Sequence, residues 1–256
     1  MNRNLNKPLT QELLSEELLS ENKMSAKIYY IPGCTRREPG GQSNAYDELA
    51  LSPIQTHSNN VKVVSGADNL SSLDLNDTDA LVTFSTGVPI GVRTADCVPI
   101  LLYAEDVNGI AAIHAGWKGT LGGIVDNALD IFEQRGADLS QMRVVFGPSI
   151  SEAVYEVDEE LAGKFSEGGL GDYVIWPQED EKTPFCENRK SKPHIDLQGA
   201  NTERLLRQGV KLENITFTGY CTLSSTDLDG TPLFPSYRRD KTSDRLLTTI
   251  ELLRMK

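Results

Sequence analysis

The sequence predicts an α/β (α+β) fold, a layered arrangement with a central mixed β-sheet flanked by helices. Short runs rich in Val, Ile and Tyr, bounded by Gly, Pro, Asn or Asp, recur along the chain. Segments with apolar residues at helical spacing lie between them. That interleaving favours a sheet covered by helices over an all-α or all-β design. The 256 residues, 39% of them apolar, suffice for a sizeable core.

The elements follow in order. Residues 1–25 are polar and are expected to form an extension, either disordered or a short helix carrying Leu13, Leu14, Leu18 and Leu19. A single catalytic domain is expected over 26–256. Strands are expected at 27–31, 61–64, 80–84, 90–94, 99–103, 109–114, 143–146 and 215–218. A helix over 119–134 places Leu121, Ile124, Val125, Leu129 and Phe132 on one face and stops near Gly136. Asp158 caps a short helix bearing Leu161 and Phe165, and Asp196 precedes one that runs through Leu205 and Leu206 to Gly209. A last helix is expected from about 242 to 253. The polar stretch 176–193 reads as a surface loop.

Charge and composition exclude several classes. The net charge of −12 repels phosphate backbones and anionic lipid heads, so neither nucleic acid nor membrane is an expected partner. No apolar run reaches the roughly 18 residues of a membrane helix. The start, Met1-Asn2-Arg3-Asn4-Leu5, lacks the apolar stretch of a secretory signal, so a cytoplasmic location is expected. Cys34, Cys97, Cys186 and Cys221 are widely spaced and read as free thiols.

The chain has three histidines: His57, His114 and His194. His57, Cys97 and His114 all fall at strand ends or turns, where side chains can converge on one pocket. A thiolate with two imidazoles suits Zn²⁺ and also accepts copper, and three protein ligands are the catalytic rather than the closed structural arrangement. On spacing alone the alternatives stay open. Cys97, followed by Val-Pro-Ile-Leu-Leu, also reads as a packed core thiol, and each histidine as hydrogen-bonded at a strand end.

The flanking residues add a resemblance. Thr94-Ala95-Asp96-Cys97-Val98-Pro99-Ile100-Leu101-Leu102 and His114-Ala115-Gly116-Trp117-Lys118-Gly119 resemble the TADCxPxLL and HAGWKG signatures of the YfiH-like, or laccase-domain, family. Gln55-Thr56-His57 resembles its QxH element, Thr78-Asp79-Ala80-Leu81-Val82-Thr83 its DALVT strand, and Gly147-Pro148-Ser149-Ile150 its GPCIG turn. Tyr155-Glu156-Val157, Cys221-Thr222 and Ser236-Tyr237-Arg238-Arg239 resemble YEV, CT and SYRR. The likeness covers roughly residues 27–254.

The resemblance implies a three-layer α/β fold and a zinc held by His57, Cys97 and His114. It implies phosphorolysis of adenosine, inosine, guanosine and methylthioadenosine, with adenosine deamination. Purine nucleoside and phosphate are therefore the expected partners, to a chain that is a monomer or weak homodimer. A copper polyphenol oxidase, and a cysteine or zinc hydrolase editing cell-wall peptide precursors, are the alternatives. A non-catalytic module with a structural zinc needs a fourth ligand, from Cys221 or a carboxylate.

Supporting roles follow from side-chain chemistry. Asp96 is expected to orient a histidine ligand or carry a proton, or else to cap a turn. Lys118 is expected to hold a phosphate oxygen, or else to be a solvated surface lysine. Arg238 and Arg239 are expected to clamp an anion, or else to form a surface salt bridge. Gly41 and Ser43, in Gly40-Gly41-Gln42-Ser43, and Gln55 are expected to touch substrate. His194 reads as structural. The sequence departs from the family pattern in three places: the segment before Gln55 is short and has Ala50 where asparagine is usual, Ser149 replaces the GPCIG cysteine, and Arg36-Arg37-Glu38-Pro39 adds residues. The first departure lies beside the expected pocket and bears on substrate choice.

Overall fold

The computed structural model describes residues 16–19, 25–35, 49–66, 68, 73–177 and 192–253. In chain order the strands and helices are β1 (Glu16–Leu19), β2 (Ser25–Thr35), β3 (Val61–Val64), β4 (Ala80–Thr83), β5 (Ile90–Thr94), β6 (Val98–Ala104), β7 (Gly109–Ala115), α1 (Trp117–Gly122), α2 (Ile124–Gln134) and β8 (Arg143–Phe146). There follow α3 (Glu159–Phe165), β9 (Val174–Ile175), β10 (His194–Ile195), α4 (Leu197–Arg207), β11 (Ile215–Phe217), α5 (Tyr237–Asp240) and β12 (Asp244–Leu252). Among the described residues no helix is long and apolar enough to cross a membrane.

The predicted mixed sheet is present. It has six strands in the order β11-β8-β6-β7-β4-β3, parallel at its two edge pairs and antiparallel within. A second, antiparallel sheet runs β1-β2-β12-β5. Alternation along β6 and β7 explains the layering. Val98, Ile100, Leu102, Ala111 and Ile113 face the helices, where they meet Val125, Leu129 and Phe132 of α2. Leu101, Tyr103, Ile110 and Ala112 face the second sheet and meet Tyr30, Ile90, Val92, Leu246 and Ile250. The central strands are buried on both faces, so they read as unbroken apolar runs. Each fully buried Leu, Ile or Phe contributes about 1.5–3 kcal/mol.

The structure corrects three expectations. Residues 16–19, expected as disordered or helical, form β1 against β2. The helix over 119–134 breaks at Gly123, whose φ of 77° is left-handed. Arg204 of α4 fixes the break by donating Nη2 to the Leu121 carbonyl at 3.0 Å and Nη1 to Asp126 at 2.6 Å. The expected C-terminal helix is β12, paired with β2 on one side and β5 on the other. Its Leu246, Leu247 and Ile250 imitate helical spacing because both faces of this strand are buried, while Thr248-Thr249-Ile250 is β-branched. The caps behave as predicted: Asp158 accepts from Leu161 N and Asp196 from Gly199 N, both at 2.8 Å.

Candidate metal centre

Register brings the chemistry to one end of the central sheet. In the β6–β7 ladder Pro99 pairs with His114 and Val98 with Ala115, which sets Cys97 beside Gly116. The β4–β7 ladder pairs Ala80 with Ile113 and continues with His114 N donating to Asp79 O at 2.8 Å. Asn60 O, just before β3, accepts from Asp79 N at 3.0 Å, which draws the 52–60 loop to the same end. That loop presents His57 with a left-handed φ of 65°, a conformation uncommon for a non-glycine residue and concentrated at functional sites.

One nitrogen each from His57 and His114 and the sulfur of Cys97 lie within 4.8 Å of one another, and they form a possible metal site. Cys97 Sγ is 3.7 Å from His57 Nε2, and the two imidazole rings meet edge-on with centroids 4.8 Å apart. His114 Nδ1 donates to Asp79 Oδ1 at 2.6 Å, leaving Nε2 toward the sulfur. This carboxylate–histidine pairing fixes the tautomer a metal-binding imidazole needs. Gly116 shows how tight the cluster is: a Cβ there would stand 2.8 Å from His57 Cδ2 and 3.0 Å from Cys97 Sγ.

The electrostatics are those of a coupled cluster. Burial raises the Cys97 pKa, but the charge and hydrogen bond of His114, together with His57, outweigh it and bring the thiol to about 6. Burial depresses His114, but Cys97 and Asp79 outweigh it and raise the imidazole to about 9. Asp79 is held at about 2: burial opposes the charge, and the hydrogen bonds from His114, Thr56 and Ser58 overcome that. Burial, with the nearby Cys97 charge, raises the Tyr155 phenol, so it is a hydroxyl at neutral pH.

A cavity of about 390 Å³ opens beside the cluster, within the usual range for small-molecule sites. His57, Cys97 and His114 line it, as do Gln55, Asp96, Arg238, Arg93, Arg245, Tyr155 and Tyr237. Gln55 is pinned in place, its amide exchanging two 2.8 Å bonds with the backbone of Arg93. Arg238 stacks over Tyr155 at 5.2 Å and donates to the Glu156 carbonyl.

Other assignments move. Asp96 lines the cavity but orients no histidine: it accepts from Thr222 Oγ1 at 2.8 Å and from Arg238 N at 2.6 Å, which ties the Cys97 turn to α5. The turn itself is left-handed at Asp96, with φ 92°. Lys118 is exposed and packs over Trp117, away from the cavity. Arg239 donates to the carbonyls of Thr222, Leu223 and Phe234 and forms a two-point ion pair with the Asp240 carboxylate, so it braces loops and its charge is engaged within the protein. Gly41 and Ser43, with Cys186 and the 36–39 insertion, lie outside the described residues. Cys221 Sγ accepts from Ser151 N at 3.4 Å and stands outside the metal-binding group. Ser149, where the family pattern has cysteine, accepts from Gln198 Nε2. His194 Nδ1 donates to the Glu152 carbonyl, a structural contact.

The residues missed in the sequence are Asp79, Arg93, Arg245, Tyr155 and Tyr237 as site groups. Asp79 stands immediately before an apolar strand, where an aspartate ordinarily reads as a turn residue.

Comparison with known proteins places the chain among its relatives. Residues 37–253 match the family described as multi-copper polyphenol oxidoreductase laccase. A purine nucleoside phosphorylase of Deinococcus radiodurans is 38% identical over 63% of this chain, a match spanning 56% of that relative. Adenosine deaminase RL5 of an unknown prokaryotic organism is 33% identical over 80% of this chain and 75% of its own length. A purine nucleoside phosphorylase of Bacteroides thetaiotaomicron is 34% identical over 82% and 75%. The crystal structure of YlmD from Geobacillus stearothermophilus superposes with a TM-score of 0.70 at 21% identity, over 94% of this chain and all of that one. Bacillus licheniformis YfiH gives 0.69 at 22%, over 93% and 99%.

Proposed function

The chain belongs to the multi-copper polyphenol oxidoreductase laccase family, the YfiH-like proteins, and on that premise we propose that it is a zinc-dependent purine nucleoside phosphorylase that also deaminates adenosine. The substrates in this reading are adenosine, inosine, guanosine and methylthioadenosine. The observation that carries it is the meeting of His57, Cys97 and His114 on the wall of a cavity that arginines and tyrosines also line. The names of the relatives, phosphorylase and adenosine deaminase, support the reaction.

The donor set fits zinc. One thiolate and two imidazoles are borderline-soft ligands, Asp79 holds His114 in the ligating tautomer, and the backbone at Gly116 leaves the space between donors clear. When bound, zinc supplies a Lewis acid that polarises an oxygen of the substrate or of water. The protein's own groups do the rest. Tyr155 and Tyr237 give the cavity aromatic lining suited to a purine, and Arg238, Arg93 and Arg245 bring positive charge to its wall that favours a phosphate anion. In phosphorolysis a phosphate oxygen attacks ribose C1′, the C1′–N9 bond breaks, and the base leaves with a proton. In deamination water adds at C6 of adenine and ammonia departs. Preorganised donors and charges aimed at these developing charges, in a site that excludes bulk water, stabilise both.

The test is an assay of purified protein with inosine, with and without phosphate, and with adenosine. Free hypoxanthine that appears only with phosphate, and ammonia from adenosine, are the expected results. Neither product in zinc-loaded protein would sink this reading.

A second reading has its own support. Asp79, His114 and Cys97 stand in the order of a carboxylate, an imidazole and a thiol, an arrangement that serves a nucleophilic cysteine hydrolase. Thiol labelling separates the two: protection of Cys97 by zinc favours ligation, and rapid labelling in the presence of zinc favours the nucleophile. A multicopper oxidase is disfavoured by ligand supply, because the chain has three histidines and His194 is committed to Glu152.

A further inference from the structure

We infer that Asp79 is the positioning residue of the metal centre, one carboxylate that aims both histidine ligands at once. This rests on the three-residue centre proposed above. Asp79 is fully buried, and five donors converge on its two oxygens. Oδ1 accepts from His114 Nδ1 at 2.6 Å and from His57 N at 3.0 Å. Oδ2 accepts from Thr56 N at 3.0 Å, Ser58 N at 2.8 Å and Ser58 Oγ at 2.8 Å. The first bond sets the tautomer and rotation of a ligand on β7. The other four wrap the 56–58 backbone around the carboxylate and hold His57 in its left-handed turn.

The two histidines differ in how much else holds them. His114 sits within β7, paired with Pro99. His57 lies in a loop with no strand of its own, and its ring is only partly buried. The turn that presents it depends on Asp79, whose backbone N–H also anchors the loop at Asn60 O. Three successive backbone N–H groups on one carboxylate make an anion nest. Here the anion is a side chain of the protein, and the geometry it imposes is that of a ligand. Losing this charge therefore disturbs both ligands, while Cys97, set by the β6 register and by Asp96, keeps its place.

Asp79→Asn is the sharpest variant. All five facing groups are donors, so an amide must aim its NH₂ at some of them. If it faces Thr56 and Ser58, the loop loosens. If it faces His114, the imidazole must turn its lone pair to Nδ1 and its proton to Nε2, the nitrogen the metal needs. Affinity for Zn²⁺ and Co²⁺, read by chelator competition, is expected to fall about 10- to 100-fold with the circular dichroism spectrum unchanged. The thiolate-to-cobalt absorption should persist at saturating cobalt, since Cys97 is undisturbed. Ser58→Ala, a milder change that leaves His114 alone, should cost about three- to tenfold in affinity.

Nuclear magnetic resonance on the wild-type protein needs no variant. It should find a proton on His114 Nδ1, with or without metal, and slow amide exchange at Thr56, His57 and Ser58. If Asp79→Asn does not fold, Ser58→Ala and these spectra decide. Wild-type affinity in Asp79→Asn or in Ser58→Ala, or a His114 Nδ1 that carries no proton, overturns the inference. Wild-type protein that takes up neither ion sinks the metal reading instead, and the exchange and tautomer data still judge the role of Asp79.

Discussion

Single side chains make the sharpest demands. A methyl group at Gly116 would intrude between His57 and Cys97. Gly116→Ala is therefore expected to fold normally and to bind metal at least about tenfold more weakly, checked by metal content and chelator competition. Metal uptake should also depend on pH with a definite sign. Hydrogen bonds and charge bring the Cys97 thiol down to about 6 and the His114 imidazole up to about 9 in the metal-free protein, so between those values ligation displaces a proton from His114 while the thiol is already ionised. Affinity should rise about tenfold per pH unit there, and more steeply below, where the thiol proton must leave too. Isothermal titration in buffers of different ionisation heat measures the proton release. At this scale the sequence was legible only where a motif carried it. His57, Cys97 and His114 stood out by their flanks. Asp79 did not, because five donors meeting on one carboxylate come from separate segments. For Lys118 and Arg239 the structure matches the solvated lysine and the salt bridge rather than the anion-binding alternatives, because adjacency in sequence says nothing about which way a side chain leaves a turn.

At the level of elements, most strands announced themselves through short Val/Ile-rich runs, and three of the four expected helices through caps and spacing. The exceptions have physical causes. In β12, burial on both faces erased the alternation that marks a strand, and the leucines fell by chance at helical intervals. In α1 and α2, Gly122-Gly123 permits a left-handed break that no periodicity reveals. The strand assignment has a measurable consequence. Ile250 lies on the inner face of β12 and is fully buried between sheets. Ile250→Ala should cost about 2–5 kcal/mol in denaturant unfolding. Arg239 makes a different contrast. It ties α5 to the loops at Thr222, Leu223 and Phe234, so Arg239→Ala should lower stability by about 1–3 kcal/mol. Arg238→Ala, on the cavity wall, should spare stability and raise the KM for phosphate instead. Melting curves and steady-state kinetics on the pair separate the roles.

For the whole molecule, function depends on how two sheets stack. The central sheet supplies Cys97, His114 and, through the loop before β3, His57, while β5 and β12 of the second sheet bring Arg93 and Arg245 to the same cavity. The layers were foreseeable from the interleaving of strands and helices. The second sheet was not, because its β12 was read as a helix and pairing between distant strands leaves no local mark. With a net charge of −12 overall, a cavity bordered by arginines is a local reversal suited to an anion. Everything turns on whether one ion is shared by three residues far apart in the chain. Metal analysis of the purified wild type beside His57→Ala, Cys97→Ser and His114→Ala measures this. About one zinc per chain in the wild type, sharply reduced in each folded variant, is the predicted result. Zinc retained at wild-type affinity by any of the three would contradict it.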